Sequence, residues 1–248
     1  MQLVFVDETS DSKFKEYLGF CVVTMNAKFY PQIKERAQAI LLGIGWDPEI
    51  EFKGSYLFSA KSGCKEIDIE RRIDAAHKLI DLHIAEKNRR MAFHYGDMQS
   101  TNHGEAYLFN LPSLLLKVLP KAKKGPGKNL LLVHCDYRQD VDIDQLHFAI
   151  SAVARRKGYV LFERVEMAHS TFDTVGLMYA DLVAYLQGRI DTISHDSELF
   201  EGITEEQFRT NGKLKKLVSS VELISKVRKM SILQHKDKAG EPLKGSDR

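Results

Sequence analysis

The sequence predicts an α/β protein built on a mixed β-sheet, with antiparallel first strands, a parallel remainder and flanking helices. Two observations predict this class. Two β-rich apolar runs, residues 2–6 and 18–25, enclose one short polar stretch, which is typical of an antiparallel hairpin. From Pro31 onward, apolar residues at helical spacing alternate with further strand-like runs, as they do in sheets with parallel strands.

The first predicted helix begins at Pro31, because proline suits the first turn of a helix. Apolar residues recur at helical spacing until Gly43 and Gly45, where we expect the helix to end. The next segment, PEIEFKGSYLFS at residues 48–59, alternates apolar and polar residues with a period of two. That alternation predicts a short third strand.

A longer helix, a strand and a divided helix are predicted next. Residues 66–87 carry one apolar stripe at helical spacing, formed by Ile69, Ile73, Ala76, Ile80 and Ile84. The run RRMAFHYG, residues 89–96, has the composition of a strand. Residues 103–119 are predicted to be helical, with a kink or a division at Pro112, since proline disrupts a helix interior.

The last predicted elements alternate between strand and helix. A basic turn begins at residue 121 and leads into LLLVHCD, residues 130–136, which is the most hydrophobic predicted strand. A helix is predicted after it, over residues 142–157. A strand over residues 159–168 and an amphipathic helix over residues 173–190 complete the series. Strands separated by helices usually pair in parallel, so we expect this half to form the parallel part of the sheet.

The domain organisation predicted from composition is one α/β domain over residues 1–205, followed by two segments of different character. Residues 206–235 are charged and basic, and we predict a helical basic extension there. Residues 236–248 have the polar composition of a disordered tail.

Composition argues against several classes of protein. The chain has 248 residues and a net charge of +2, so binding of nucleic acid would need local basic patches. Its three cysteines show no metal-binding spacing and predict reduced thiols. No apolar run approaches the ~20 residues of a membrane span, and no signal peptide precedes Asp7. We therefore expect a cytoplasmic protein without a membrane partner.

Four acidic residues are candidates for a functional site because of where they fall. Asp7 and Asp136 each end a predicted strand, and open α/β sheets bind ligands at that edge. Glu51 lies in the short strand-like segment, two residues before Lys53. Asp181 lies on an apolar helix face, where a carboxylate is expensive to bury unless it is paired or bound to a cation.

A divalent cation would explain why these acids converge. Ala180 and Ala184, on the same helix as Asp181, would let that helix approach the sheet and bring its carboxylate to the strand ends. Carboxylates from separate elements repel one another unless a cation lies between them, and Mg²⁺ and Mn²⁺ prefer such hard oxygen ligands. Two ions about 4 Å apart could stabilise both the attacking and the leaving oxygen of a phosphodiester.

Each acid also has an ordinary structural explanation, and these alternatives stay open. Asp7 could simply belong to a turn, and Asp136 could cap the following loop. Glu51 and Lys53 could form a solvated pair on an edge strand. Asp181 could be the buried partner of a salt bridge. The hypothesis of a shared site depends on the order and setting of all four acids together.

The same segments resemble the domain-of-unknown-function family 3800, which is similar to the ribonuclease H-like superfamily. That family has an Asp-Glu-Ser-Gly motif after the first strand, a Glu-x-Lys segment, an aspartate at a later strand end and a Gln-x-Ala-Asp helix. The matching segments here are DETS, EFKGS, HCD and YADLVAYL, within about residues 1 to 190. The chain departs from the pattern in DETS and in a helix that lacks the glutamine.

The resemblance implies a ribonuclease H-like fold and a nuclease that uses Mg²⁺ or Mn²⁺ to hydrolyse DNA or RNA. Carried over residue by residue, it implies metal ligation and catalysis by Asp7, Glu51, Asp136 and Asp181. Glu8 and Lys53 match neighbours within the same motifs and are the further catalytic candidates. Two alternatives stay open: a non-catalytic binding or interaction module on the same fold, and a phosphohydrolase that acts on small substrates.

Glu8 raises a geometric question, because side chains alternate along a strand. In a regular strand Asp7 and Glu8 point to opposite faces of the sheet. Glu8 could therefore join the site of Asp7 only if the chain turned sharply at Thr9.

Some other polar residues are secondary candidates. His94, Asp97 and His103 cluster in sequence around a polar loop, and His134 alternates with Asp136 along one strand. None of these has the spacing of a known catalytic motif.

Two further features of the sequence concern the start of the late helix and the basic residues. Ser170 and Thr171 precede the late helix and are predicted to cap it. Basic residues within 121–128 and 155–157 could form a rim that binds a phosphate backbone.

Overall fold

The structure is a computed structural model that describes residues 1–10, 17–58, 64–85, 91–99, 103–120, 122 and 129–195. The predicted basic extension, residues 206–235, and the predicted tail, residues 236–248, lie outside the described residues. So do residues 123–128 of the basic turn and the side chains of His94, Asp97 and His103.

The described elements alternate along the chain much as the sequence predicts. The strands are β1 (Gln2–Ser10), β2 (Tyr17–Asn26), β3 (Met91–Gln99), β4 (Leu130–Asp136), β5 (Val160–Leu161) and β6 (Glu166–Ala168). The helices are α1 (Tyr30–Ile44), α2 (Ile69–Ala85), α3 (His103–Glu105), α4 (Leu111–Val118), α5 (Ile143–Lys157) and α6 (Val175–His195). None of these described helices is long and apolar enough to cross a membrane.

One mixed sheet joins the strands in the order β3-β2-β1-β4-β5, with β6 also pairing with β4. The pairs β1–β2 and β2–β3 are antiparallel, whereas β4 is parallel to β1, β5 and β6. The predicted fold class is confirmed as an α/β mixed sheet with antiparallel first strands, a parallel remainder and flanking helices.

Alternation of side chains along β1 feeds two separate hydrophobic cores, one on each face of the sheet. Leu3 and Phe5 belong to the core beneath α1, α2 and α6. Val4 and Val6 belong to the core beneath α4 and α5. Asp7 follows the first pair in register and so falls on the α6 face, whereas Glu8 follows the second pair and falls on the α5 face.

Helix α6 makes two close contacts, one with the sheet and one with the loop at residues 51–54, and a glycine lies at each contact. A Cβ atom built on Gly176 would lie 2.2 Å from the ring of Phe5 in β1. A Cβ atom on Gly54 would lie 2.9 Å from the Cα of Leu182 in α6. The first contact places the start of α6 over Phe5 of β1, and the second lets the loop that carries Glu51 and Lys53 lie against α6.

The segment at residues 48–59 differs from its prediction, because it forms no strand within the described residues up to 58. Residues Gly54–Leu57 form a short 3-10 helix, and the N–H of Phe52 donates to the carbonyl of Ser170 at 2.7 Å. The sequence alternates here because the buried ring of Phe52 packs on Trp46, while its two charged neighbours are half-exposed. A single buried side chain between two polar ones mimics a strand over such a short stretch.

The helix predicted over residues 103–119 is divided, as the proline suggests. A π-helix covers Ala106–Asn110 and separates α3 from α4, which has Pro112 in its first turn. The strand predicted over residues 159–168 is also divided. β5 pairs with the start of β4 and β6 pairs with its end, while the charged residues between them leave the sheet.

The basic residues at 155–157 lie far from the acids. They end α5 beside Val160, which pairs with Leu130 at the start of β4. Asp136 ends the same strand, about 20 Å away at the usual rise of a strand. The predicted basic rim is therefore wrong for these three residues, which lie at the opposite edge of the sheet.

Candidate active site at the carboxyl ends of two strands

Asp7 and Asp136 lie beside each other because β1 and β4 run in parallel and their pairing stops just before the two acids, while β1 itself continues to Ser10 beside β2. The register pairs Val6 with Cys135, the residues immediately before the two acids. Asp7 is only 7% exposed and its Oδ1 accepts the backbone N–H of Glu8 at 2.8 Å. The edge of the sheet expected from the sequence thus holds two of the four predicted acids.

Asp181 is brought to the same edge by helix α6. Its carboxylate is buried, and Oδ1 accepts the backbone N–H of Gly54 at 2.6 Å. This bond requires the loop before the 3-10 helix to lie against α6, which the missing side chain of Gly54 permits. The glycine of the EFKGS segment therefore positions the segment's charged residues beside Asp181.

Glu51 and Lys53 form the outer part of the cluster. The Nζ of Lys53 lies 2.9 Å from Oε1 of Glu51 and 3.8 Å from Oδ2 of Asp181. Both side chains are partly exposed. Lys53 is thus more than the solvated partner of one neighbour, because its ammonium group bridges two of the predicted acids.

Electrostatic repulsion within this cluster is substantial. Burial raises the pKa of Asp7 well above its ordinary value, and the charges of Asp181, Glu8 and Asp136 raise it further. Burial also raises the pKa of Asp181 to about 7, although the N–H of Gly54 and the charge of Lys53 oppose that shift.

The pKa values of Asp136 and Lys53 are shifted by burial and by the charges of the same cluster. Burial raises the pKa of Asp136, and the nearby charge of Lys53 lowers it. Burial alone would lower the pKa of Lys53, but its bond to Glu51 and the charges of Asp181 and Asp136 raise it overall. The cluster therefore favours any added positive charge.

One carboxylate oxygen in the cluster is buried without a hydrogen-bond partner among the described residues: Oδ1 of Asp136. An orphaned acceptor in a group of mutually repelling carboxylates fits a cation better than it fits a closed salt bridge. Within the described part of the chain, however, no three acidic, histidine or cysteine side chains already converge as a metal-binding set. The donor chemistry fits Mg²⁺ or Mn²⁺, and the side chains would need to turn toward the ion.

Glu8 lies on the other face of β1, as alternation predicts, because β1 continues through Thr9 without a turn. Its carboxylate accepts the hydroxyl of Tyr107 and pairs with the guanidinium of Arg138. Arg138 also donates to Asp140, with Nε 2.8 Å from Oδ1. Glu8 thus ties the end of β1 to the π-helix and to the loop after β4.

Sequence reasoning missed Tyr107 and Arg138. The only signal for Arg138 is its place two residues after Asp136, in the loop at the sheet edge. Tyr107 belongs to the π-helix, and helical periodicity gives no indication of such an element.

The predicted cap of α6 is wrong in its residues. Helix α6 begins at Val175, and the carbonyl of Thr174 accepts the first helical N–H, from Met178. The hydroxyl of Thr174 donates to the carbonyl of His169 and accepts the N–H of Thr171, which closes the turn before the helix. Ser170 is fully buried, and its carbonyl accepts the N–H of Phe52 in the EFKGS loop.

His134 shares the face of Asp136 but belongs to the packing of the sheet. Its ring stacks on Phe5 at 5.8 Å, and Nδ1 lies 3.6 Å from a carboxylate oxygen of Glu166. Burial lowers the pKa of His134 despite that carboxylate.

Comparison with solved structures finds ribonucleases H. The chain is similar to the ribonuclease H2 from Pyrococcus horikoshii OT3, at 12% identity and a TM-score of 0.48, over 92% of this chain and 100% of that chain. It is similar to the RNase HII of the PCNA:RNase HII complex from Archaeoglobus fulgidus, at 10% identity and a TM-score of 0.42, over 95% of each chain.

A third similar structure is Bst-RNase HIII in complex with Mn²⁺, at 10% identity and a TM-score of 0.42, over 92% of this chain and 71% of that chain. At these identities and TM-scores, the likeness assigns no role to any residue of this chain. No family model and no curated protein matches the sequence.

Proposed function

We propose that this chain is a divalent-metal-dependent nuclease of the domain-of-unknown-function family 3800, which hydrolyses phosphodiester bonds of DNA or RNA. One observation carries the proposal. Asp7, Asp136 and Asp181 come from three separate elements and lie where the pairing of β1 with β4 stops. Burial raises the pKa of Asp7 and of Asp181, and the charge of Asp136 raises both further. A cluster that disfavours its own negative charge is suited to holding a cation and the charged ester that the cation attracts.

In this proposal Mg²⁺ or Mn²⁺ is held by Asp7, Asp136, Asp181 and Glu51. When bound, the ion supplies an acidified water for attack and stabilises the charge that develops on the phosphate. Lys53 keeps an ammonium group beside Glu51 and Asp181, where it is placed to meet a phosphate oxygen. Glu8 acts as a positioning residue, since Tyr107 and Arg138 hold its carboxylate on the other face of the strand.

The decisive experiment measures metal binding and hydrolysis separately. Titration calorimetry with Mn²⁺ compares the wild type with Asp7→Asn, Asp181→Asn and the control Asp173→Asn, whose exposed carboxylate pairs with Lys34. We expect the two cluster variants to lose at least tenfold in affinity for Mn²⁺ and the control to bind like the wild type. Hydrolysis should fall at least a hundredfold in the cluster variants alone, which would mirror the loss of metal.

The substrate panel separates the alternative functions. It contains single-stranded DNA and RNA, duplex DNA, an RNA–DNA hybrid and a mononucleotide. Retained metal-dependent cleavage in both cluster variants would contradict the proposal. Absence of Mn²⁺ binding in every protein would favour the non-catalytic module, and hydrolysis of the mononucleotide alone would favour the small-substrate phosphohydrolase.

Lys53 is tested by Lys53→Gln against Lys34→Gln, which removes a lysine of similar partial exposure that pairs with Asp173 at 2.9 Å. Loss of the Lys53 ammonium should leave Mn²⁺ affinity equal or higher, because a competing cation is gone. Hydrolysis should nevertheless fall about tenfold or more, since a charge near the phosphate is lost. Equal hydrolysis by both lysine variants would assign Lys53 to structure alone.

A further inference from the structure

An exposed pair of aromatic rings lies at the rim of the acidic cluster and has no role in the function proposed so far. Tyr137 directly follows Asp136 at the end of β4 and is 46% exposed. Its ring centroid lies 4.8 Å from that of His169, with the planes tilted by 38°. His169 is also exposed and follows the last residue of β6.

The sheet itself fixes this pair beside the acids. β6 is parallel to β4 and pairs Ala168 with Asp136, so the two following residues emerge side by side from the same edge. Nδ1 of His169 lies 3.5 Å from Oε1 of Glu51, the oxygen that also contacts Lys53. The rings thus border the cluster on the side of Glu51.

Other aromatic rings near the site serve the core, and this contrast is informative. Phe5 stacks on Tyr30 and His134 within the packed α6 face. Tyr137 and His169 leave much of their ring surface open to solvent. An open aromatic surface at the edge of a phosphodiester site is the arrangement on which nucleic-acid bases stack.

The charged side chains around the site favour base stacking, more than attraction of the phosphate backbone, as the source of affinity for nucleic acid. The described cations at this edge are already engaged with carboxylates: Lys53 with Glu51 and Asp181, and Arg138 with Glu8 and Asp140. Apart from the single contact proposed between Lys53 and the scissile phosphate, these side chains therefore add little attraction for the rest of the phosphate backbone. Contact with the π-face of a base adds affinity that depends little on salt.

We propose that Tyr137, supported by His169, stacks on an unpaired base next to the scissile phosphate, so that the site takes single-stranded or locally unpaired nucleic acid. This inference rests on the proposed nuclease function. A base inside an intact duplex has both faces covered by its neighbours, so it offers no surface to Tyr137. His169 acts as a positioning residue, because Glu51 and the tyrosine ring hold it in place.

The test compares Tyr137→Ala and Tyr137→Phe with Phe162→Ala in the full-length chain. Phe162 is a suitable control because its ring is 53% exposed but its N–H bonds to the carbonyl of Leu131, near the far end of β4. Binding of a fluorescent single strand is measured by anisotropy with Ca²⁺ in place of Mg²⁺. The same strand is then offered as a duplex and with every base replaced by an abasic site.

We expect Tyr137→Ala to weaken binding of the single strand about tenfold, a typical loss for one stacked base, and Tyr137→Phe to restore it. The loss in hydrolysis should fall on KM more than on kcat. Phe162→Ala should bind like the wild type. The abasic strand should bind equally weakly to the wild type and to Tyr137→Ala, because neither complex contains a stacked base.

Different results overturn different claims. Unchanged binding of the single strand by Tyr137→Ala overturns the stacking proposal, and so does equal affinity of the wild type for the duplex and the single strand. If the wild type cleaves the abasic strand and requires Asp7 to do so, the nuclease proposal stands even when the stacking proposal fails. If the wild type binds single strands through Tyr137 but never cleaves them, the stacking proposal stands and the nuclease proposal fails.

Discussion

Neighbouring carboxylates in the DETS segment have opposite surroundings, and this decides their chemistry. Asp7 is buried on the α6 face among other acids, which raise its pKa. Glu8 lies on the α5 face, where it accepts the hydroxyl of Tyr107 and pairs with Arg138. Ionisation is therefore unfavourable at Asp7, whereas the carboxylate of Glu8 lies against the guanidinium of Arg138. One position along β1 thus separates Asp7, which lies among other acids, from Glu8, which already pairs with Arg138.

The raised pKa of Asp181 predicts how the stability of the metal-free protein depends on pH. In the unfolded chain this carboxyl titrates near 3.9, whereas in the fold its pKa is about 7. The folded state thus holds the proton more tightly, and the stabilisation from that proton is lost as pH rises from about 4 to 7. In EDTA, we expect the Tm of Asp181→Asn to exceed that of the wild type by about 5 °C at pH 8.

Thermal unfolding between pH 4 and pH 8 measures this difference. The two proteins should come close together at pH 4, where the wild-type carboxyl is protonated in the folded state and about half protonated in the unfolded state. Asp173→Asn is the control, because Lys34 lowers the pKa of this exposed residue and its contribution has the opposite sign. A constant difference in Tm between Asp181→Asn and the wild type across the whole range would contradict the prediction.

At the residue scale, the sequence predicts the acids but not their supports. Asp7 and Asp136 are recognisable because each ends an apolar run, and Asp181 because it interrupts an apolar helix face. Tyr107 lies 99 positions from Glu8 along the chain, and Arg138 lies 130 positions from it. No local pattern encodes such contacts, since they depend on how the sheet brings distant elements together.

Among the elements, the contact between α6 and the EFKGS loop has the tightest steric requirement. The loop is held by a hydrogen bond from the N–H of Gly54 to Asp181 and by one from the N–H of Phe52 to Ser170. The first bond depends on the absence of a side chain at Gly54, which faces the backbone of α6. The sequence suggests close approach through Ala180 and Ala184, whereas glycines at the contacts provide the closest approach.

We therefore expect Gly54→Ala to destabilise the protein by about 1–3 kcal/mol, because the new methyl group would overlap the backbone of α6. It should also weaken Mn²⁺ binding, since the loop carries Glu51 and Lys53. The matched control is Gly43→Ala in α1, where a Cβ atom meets nothing within 4 Å. That variant should gain up to about 1 kcal/mol from helix propensity.

Urea unfolding and Mn²⁺ titration of the two alanine variants check this expectation. Equal free energies of unfolding for Gly54→Ala and the wild type would show that the loop can move away from α6 without loss. Weakened metal binding in Gly43→Ala would show that the effect is not specific to the loop.

Periodicity predicts elements well where they are long and poorly where they are short. Helices α1, α2, α5 and α6 are each at least 15 residues long, and all four form where apolar stripes predict them. The segment at residues 48–59 has only one buried ring between polar residues, so its period of two arises without a sheet partner. The π-helix is invisible to the same reasoning, because its period differs from 3.6 residues over a single turn.

At the scale of the whole molecule, the sheet assembles the site from segments that are far apart in sequence. Alternation of strands and helices predicts a mixed sheet, but it does not specify that β4 returns to the side of β1. That return, seen in the strand order, brings Asp136 to Asp7. The boundary at residue 205 and the two segments beyond it stay predictions, because they lie outside the described residues.

The three cysteines report on how this assembly opens. All are buried thiols: Cys21 is paired in register with Asp7, Cys135 precedes Asp136, and Cys64 lies before α2. A thiol reagent reaches each one only when the surrounding structure opens. We expect Mn²⁺ to slow alkylation of Cys21 and Cys135 severalfold while Cys64 reacts at its former rate, as measured by peptide mass spectrometry. Equal slowing at all three would mean that the chain opens as one unit. Unequal slowing would make the native thiols probes of local opening in each region, without any added label.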